Sequence, residues 1–98
     1  MFVHTVYFWL KPGLTPEQLG TFETLAKAMG KIPGVEHLWV GKPAPTERPV
    51  IDSSYSYALA VILKDLAAHD VYQDHPIHDA FRKTCGEFWS QVKIYDSV

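Results

Sequence analysis

The chain has 98 residues and a formal charge of −2, with 47% hydrophobic and 20% charged residues. That length holds one domain, against the roughly 100–200 residues a domain commonly takes, and the composition excludes a disordered or fibrous chain. A pI near 6.2 provides no basic face for nucleic acid or an anionic membrane, so neither is expected as a partner.

The one cysteine, Cys85, cannot form an internal disulfide. No apolar run approaches the ~20 residues that a membrane helix needs. The opening Met1-Phe2-Val3-His4-Thr5 lacks a basic n-region and a small-residue cleavage site. It predicts a cytoplasmic protein without a signal peptide.

Phe2 to Leu10 is aromatic and β-branched and ends at Lys11-Pro12-Gly13, a turn signal. It reads as a strand with His4, Val6, Phe8 and Leu10 on one face and Val3, Thr5, Tyr7 and Trp9 on the other. Both faces carry bulk, so both need a cover. Thr15, Pro16 and Gln18 then supply an N-cap, a first-turn proline and a capping box. Leu19, Phe22, Leu25, Ala26 and Met29 follow at helical spacing, which predicts a helix over about 16–29 capped by Gly30.

Ile32-Pro33-Gly34 turns the chain into a second strand, Val35 to Val40. Gly41 to Pro49 contains Pro43, Pro45 and Pro49 and reads as a surface loop, since proline cannot sit in a central strand. Tyr55, Tyr57, Leu59, Val61 and Leu63 alternate with smaller residues and predict a third strand. Asp65 caps a short helix to about Tyr72. Pro76 interrupts it, and a second helical piece runs from about Ile77 to Cys85. Trp89 to Asp96 is the last strand, with Val92 and Ile94 facing one way and Lys93 and Tyr95 the other.

The order β-α-β-β-α-β predicts an α+β, ferredoxin-like domain over 1–98, with a four-stranded antiparallel sheet and both helices on one face. The opposite face, with Tyr7 and Trp9, is left uncovered by this chain. A patch of that kind predicts a homodimer through the sheet face.

Chemistry falls to the histidines and tyrosines. His4 lies on an apolar strand face, where an imidazole is either a satisfied core residue or a catalyst. His75 and His78 bracket Pro76, but a helical metal pair wants i, i+4 spacing, and Pro76 breaks the helix between them. No metal is expected there, and His75 can instead cap the second helical piece. Tyr72 and His78 can both point between helices and sheet, where a phenol beside an imidazole can hold and deliver a proton. Tyr57 and His4 could lie across the same cavity. The bland alternative is a polar cluster that satisfies itself under the helices. No dinucleotide, Walker, nucleophile-elbow or kinase motif is present. Cys85, Trp9, Trp39 and Trp89 read as packing residues.

Taken in order, Val3-His4-x-Val6-x-Phe8-x-Leu10, Ile32-Pro33-Gly34-Val35, Asp52-x-x-Tyr55-x-Tyr57, Tyr72-x-x-His75-Pro76-x-His78 and Phe88-Trp89-x-x-Val92-x-Ile94-x-Asp96 resemble the stress-responsive dimeric α+β barrel (Dabb) family. The resemblance implies a ferredoxin-like monomer that dimerises through its sheets into a barrel. Similarity to members of the olivetolic acid cyclase type implies cofactor-free aldol chemistry on a polyketide-like carbonyl compound. There His78 would be the general base and Tyr72 its partner, with His4, Val6, Phe22, Tyr57, Leu59 and His75 around the substrate. Tyr57 stands where the cyclase type has a histidine, so the polar lining differs. Two alternatives remain: a cofactor-free monooxygenase of the same barrel, and a non-enzymatic ligand-binding stress protein.

Overall fold

The run Phe2–Leu10 forms strand β1, and hydrogen bonding on both of its edges makes it the middle of the molecule. A computed structural model describes residues 1–98. After β1 come α1 (Pro16–Ala28), a 3-10 turn (Met29–Lys31), β2 (Val35–Gly41) and β3 (Tyr57–Leu63). The chain ends with α2 (Leu66–Asp74), α3 (Pro76–Cys85) and β4 (Trp89–Ser97). The sheet is antiparallel throughout, in the order β2-β3-β1-β4.

Alternation along the strands separates two faces. Phe2, His4, Val6 and Phe8 of β1 are buried, as are Tyr57, Leu59, Val61 and Leu63 of β3. The helices cover this inner face. Phe22 and Ala26 come from α1, Tyr72 from α2, and Phe81 and Cys85 from α3, while Met29 and Ile32 close the end of the first helix. Phe8 is edge-on to Phe22 at 5.2 Å and to Phe81 at 5.8 Å, which ties the strand to both α1 and α3. Each large apolar side chain buried this way contributes roughly 1.5–3 kcal/mol.

Local signals explain most boundaries. Thr15 Oγ1 accepts from Gln18 N at 3.1 Å and Gln18 Oε1 accepts from Thr15 N at 2.8 Å, so the capping box forms as expected. Pro76 lacks an N–H, so the predicted broken helix is two helices, with α3 starting at that proline. Two expectations are corrected. Gly30 is not the helix cap, because α1 tightens into the 3-10 turn and Met29 takes that position. Strand β3 starts at Tyr57 rather than Tyr55, and Tyr55 turns to the outer face, edge-on to Tyr7 at 5.0 Å.

No helix lies on that outer face. The segment before β3 crosses part of it: Trp9 Nε1 donates to Ser54 Oγ at 3.1 Å, and Asp52 Oδ1 accepts from Ser54 N at 2.9 Å. A shallow groove remains among Thr5, Tyr7, Trp9, Tyr55, Lys93 and Tyr95. No helix of the chain is long and apolar enough to cross a membrane.

Gly34 and Gly13 both adopt left-handed backbone, with φ of 92° and 83°. A Cβ on Gly34 would stand 2.8 Å from Ala68 Cβ, where α2 passes over the turn, while one on Gly13 meets nothing within 4 Å. Both alanine variants carry backbone strain of about 1 kcal/mol, and Gly34→Ala adds a clash of roughly 1–2 kcal/mol. Chemical denaturation should therefore rank Gly34→Ala clearly below Gly13→Ala. Equal losses would show that α2 yields freely at this contact.

Candidate functional site

Because β1 and β3 expose their inner row to α2 and α3, imperfect filling between the layers leaves a cavity of about 260 Å3. His4, Val6 and Leu59 line it from the sheet, and Tyr72 and His78 from the helices. Phe8, Phe81, Trp89, Val92 and Ile94 make the rest largely apolar, with Arg82 and Gln73 as further polar members.

His78 sits in the first turn of α3, which Pro76 starts and His75 caps. The ring is buried, and its Nδ1 has no hydrogen-bond partner. Burial pushes its pKa down to about 4, assisted by the Arg82 charge and His4; Asp79 and the Gln73 main chain oppose the shift. At neutral pH it is an uncharged imidazole with a free position, the form in which histidine accepts a proton.

Tyr72 is fully buried, its ring 4.9 Å from that of His78 and 5.6 Å from that of His4. Its hydroxyl donates to Met29 Sδ at 3.5 Å, not to His78. Burial alone holds the phenol far above its ordinary pKa, so it is a donor and never a phenolate near neutral pH. A thioether is a weak acceptor, and the hydroxyl gives up that contact at little cost.

His4 is held from the opposite strand. Asp96 is its cross-strand neighbour on β4, and His4 Nδ1 lies 2.5 Å from Asp96 Oδ1. An ionised carboxylate only accepts, so the proton resides on Nδ1 and Nε2 of neutral His4 is left bare. Burial lowers the His4 pKa more than Asp96 raises it, and His69 lowers it further. His4 is thus a neutral, oriented imidazole.

Three expected lining residues stand elsewhere. The Tyr57 hydroxyl donates to Glu23 Oε1 at 2.7 Å, under α1, and burial and then Glu23 push its pKa up to about 12. Lys42 Nζ stands 5.5 Å from the Tyr57 ring centroid. Phe22 packs between Phe8, Tyr57 and Phe81 as core. His75 accepts from Ile77 N through Nδ1 at 3.1 Å, which spends it as the cap of α3. Sequence reasoning, in turn, overlooked Asp96 and His69 as site residues. Asp96 pairs with a residue 92 positions away, which only the β1–β4 register reveals. His69 precedes Tyr72 by three residues and so shares its helix face.

An antiparallel sheet in this strand order, helices on one face and a cavity with imidazoles between the layers define a ferredoxin-like α+β protein. A family model for the stress responsive A/B barrel domain, Dabb, matches residues 2–98, and the chain belongs to that family. No curated protein matches it significantly. A Dabb family protein with a ferredoxin-like fold from Mesorhizobium loti is 29% identical, with a TM-score of 0.79 over 99% of this chain and 94% of that one. A dimeric ferredoxin-like protein from Thermobifida fusca superposes with a TM-score of 0.81 at 19% identity, covering 99% and 89%. A hydroxynitrile lyase from Passiflora edulis gives 0.80 at 15% identity, covering 98% and 90%. The last two share the fold, and chemistry has to be read from the site itself.

Removing the Asp96 carboxylate leaves the buried His4 Nδ1–H without a partner. Asp96→Ala should lose about 1–3 kcal/mol in denaturant unfolding, whereas Asp79→Ala, an exposed pair on α3, should lose well under 1 kcal/mol. Similar small losses for both would mean that Asp96 does not hold the strand histidine.

Proposed function

We propose that this protein is a homodimeric small-molecule enzyme in which His78 is a general base for proton transfer on a carbonyl compound. The observation that carries this is the buried, unpaired Nδ1 of a neutral His78 at the edge of a largely apolar cavity. A hydrogen-bonding position left open there suits a ligand better than it suits packing. His78 would remove a proton from the carbon beside the carbonyl, and the electron pair would move onto the carbonyl oxygen. Tyr72, protonated at neutral pH, would donate to that oxygen, and His78 would return the proton to a different carbon or to the product.

A pKa near 4 makes His78 a weak base in the empty cavity. Negative charge developing on the substrate oxygen favours the imidazolium and strengthens the base where it is needed. Aldol cyclisation and isomerisation both fit this cycle, and neither needs a redox cofactor. At about 260 Å3 the cavity lies just under the roughly 300–1,000 Å3 typical of ligand pockets. That size favours a monocyclic or short acyl compound over a long polyketide. Tyr7, Trp9 and Tyr95, uncovered by any helix, would meet the same face of a second copy, in line with the dimeric state of related structures.

Exchange of α-hydrogen for solvent deuterium in an aryl methyl ketone reads the first step without the natural substrate. The wild type should accelerate exchange above the buffer rate, and His78→Gln should lower the acceleration at least about 100-fold. Tyr72→Phe should retain folding and lose a smaller factor. Exchange that survives unchanged in His78→Gln would remove His78 from the chemistry.

A further inference from the structure

A second cluster shares His4 with the cavity but is otherwise separate from it. His4 on β1, His69 on α2 and Asp96 on β4 each bring one nitrogen or oxygen atom to within 4.8 Å of the other two. His69 is held rather than loose, since its ring stacks on Phe2 at 4.4 Å and stands 5.0 Å from the His4 ring. It is also incompletely satisfied. The residue is only 7% exposed, yet its Nε2 has no hydrogen-bond partner. Buried imidazole nitrogens without a partner are rare, because the lost contact with water goes uncompensated.

We propose that His4, His69 and Asp96 bind a divalent first-row transition ion, with Zn2+ as its representative. Two imidazole nitrogens and one carboxylate oxygen form a donor set suited to such ions, and three protein ligands leave a position for water or a small ligand. Ligand atoms around one such ion lie roughly 3–3.5 Å apart, from bond lengths of about 2.0–2.2 Å. The ion takes the place of the Nδ1 proton of His4, which shifts to the bare Nε2, so the His4–Asp96 pair, at 2.5 Å, has to part slightly and the widest pair has to close by about an ångström. Asp96 is the exposed member, so its carboxylate is free to make that adjustment and gives an ion a route from solvent. The His75-x-x-His78 pair cannot serve in the same way, because His75 Nδ1 is committed to the α3 cap. The site does not depend on proton transfer by His78.

Untagged protein stripped with EDTA and titrated with Zn2+ by calorimetry tests the assignment directly. Saturable binding of one ion per chain is expected, with His69→Gln and Asp96→Asn each weakening it at least tenfold. Because His69 packs on Phe2, the exposed Asp96 position keeps the test valid should the His69 variant fail to fold. Co2+ added to the wild type gives a readout without mutation: it should broaden the ring resonances of His4 and His69 and spare those of His37 and His75. Absence of saturable Zn2+ binding, equal affinity in wild type and Asp96→Asn, or broadening centred on His37 or His75 would each overturn the site.

Discussion

Neither face of β1 can be left in water, and that requirement organises the molecule. Paired with β3 on one edge and β4 on the other, the strand presents a largely apolar row to each side of the sheet. Helices α1 and α3 answer on the inner side, through Phe22 and Phe81 against Phe8. On the outer side the chain supplies only Tyr55 and the Asp52–Ser54 turn against Tyr7 and Trp9. The inner row also contains one polar residue, His4, which cannot reach bulk water from the centre of a sheet. Its hydrogen bond to Asp96 is the direct consequence, and the imidazole-lined cavity is built around it.

Much of this was legible in the sequence because period-2 alternation states which residues share a face. The inner row of β1, the capping box of α1 and the break at Pro76 all follow from local rules. The order of elements then leaves few ways to arrange the sheet. Errors arose where a distant contact decides. Tyr55 continues the alternating pattern of β3, yet its contact with Tyr7 draws it to the other face. Tyr57 keeps the inward orientation but points at Glu23 on α1 rather than along the strand toward His4. No local pattern encodes which helix a buried side chain meets.

The candidate site divides on the same principle. Tyr72, His78, His4, Val6 and Leu59 converge because strand parity and helix spacing dictate it. Phe22 and His75 were named by resemblance and fall to core and cap. Asp96 and His69 join the cluster through the β1–β4 register and the docking of α2, neither visible in a linear pattern. Structures only 19% and 15% identical share this fold, so the frame by itself does not specify the chemistry. The proposed function rests on the protonation state and unpartnered nitrogen of His78 in the cavity. His4 and His78 are neutral imidazoles, kept uncharged by burial at a position where a small anion or oxyanion would reverse the preference.

That state can be observed directly. Titration of the histidine ring resonances by NMR, with EDTA present to exclude metal, would report His78 alone once its signals are assigned with a His78→Gln sample. The His78 ring should remain neutral as pH falls below the ordinary 6.5 and gain its proton only near pH 4, with Arg82, Asp79 and His4 the charged and titratable groups facing it. Titration near 6.5, unmoved by the fold, would mean that the ring is solvated and that the cavity does not hold a buried base.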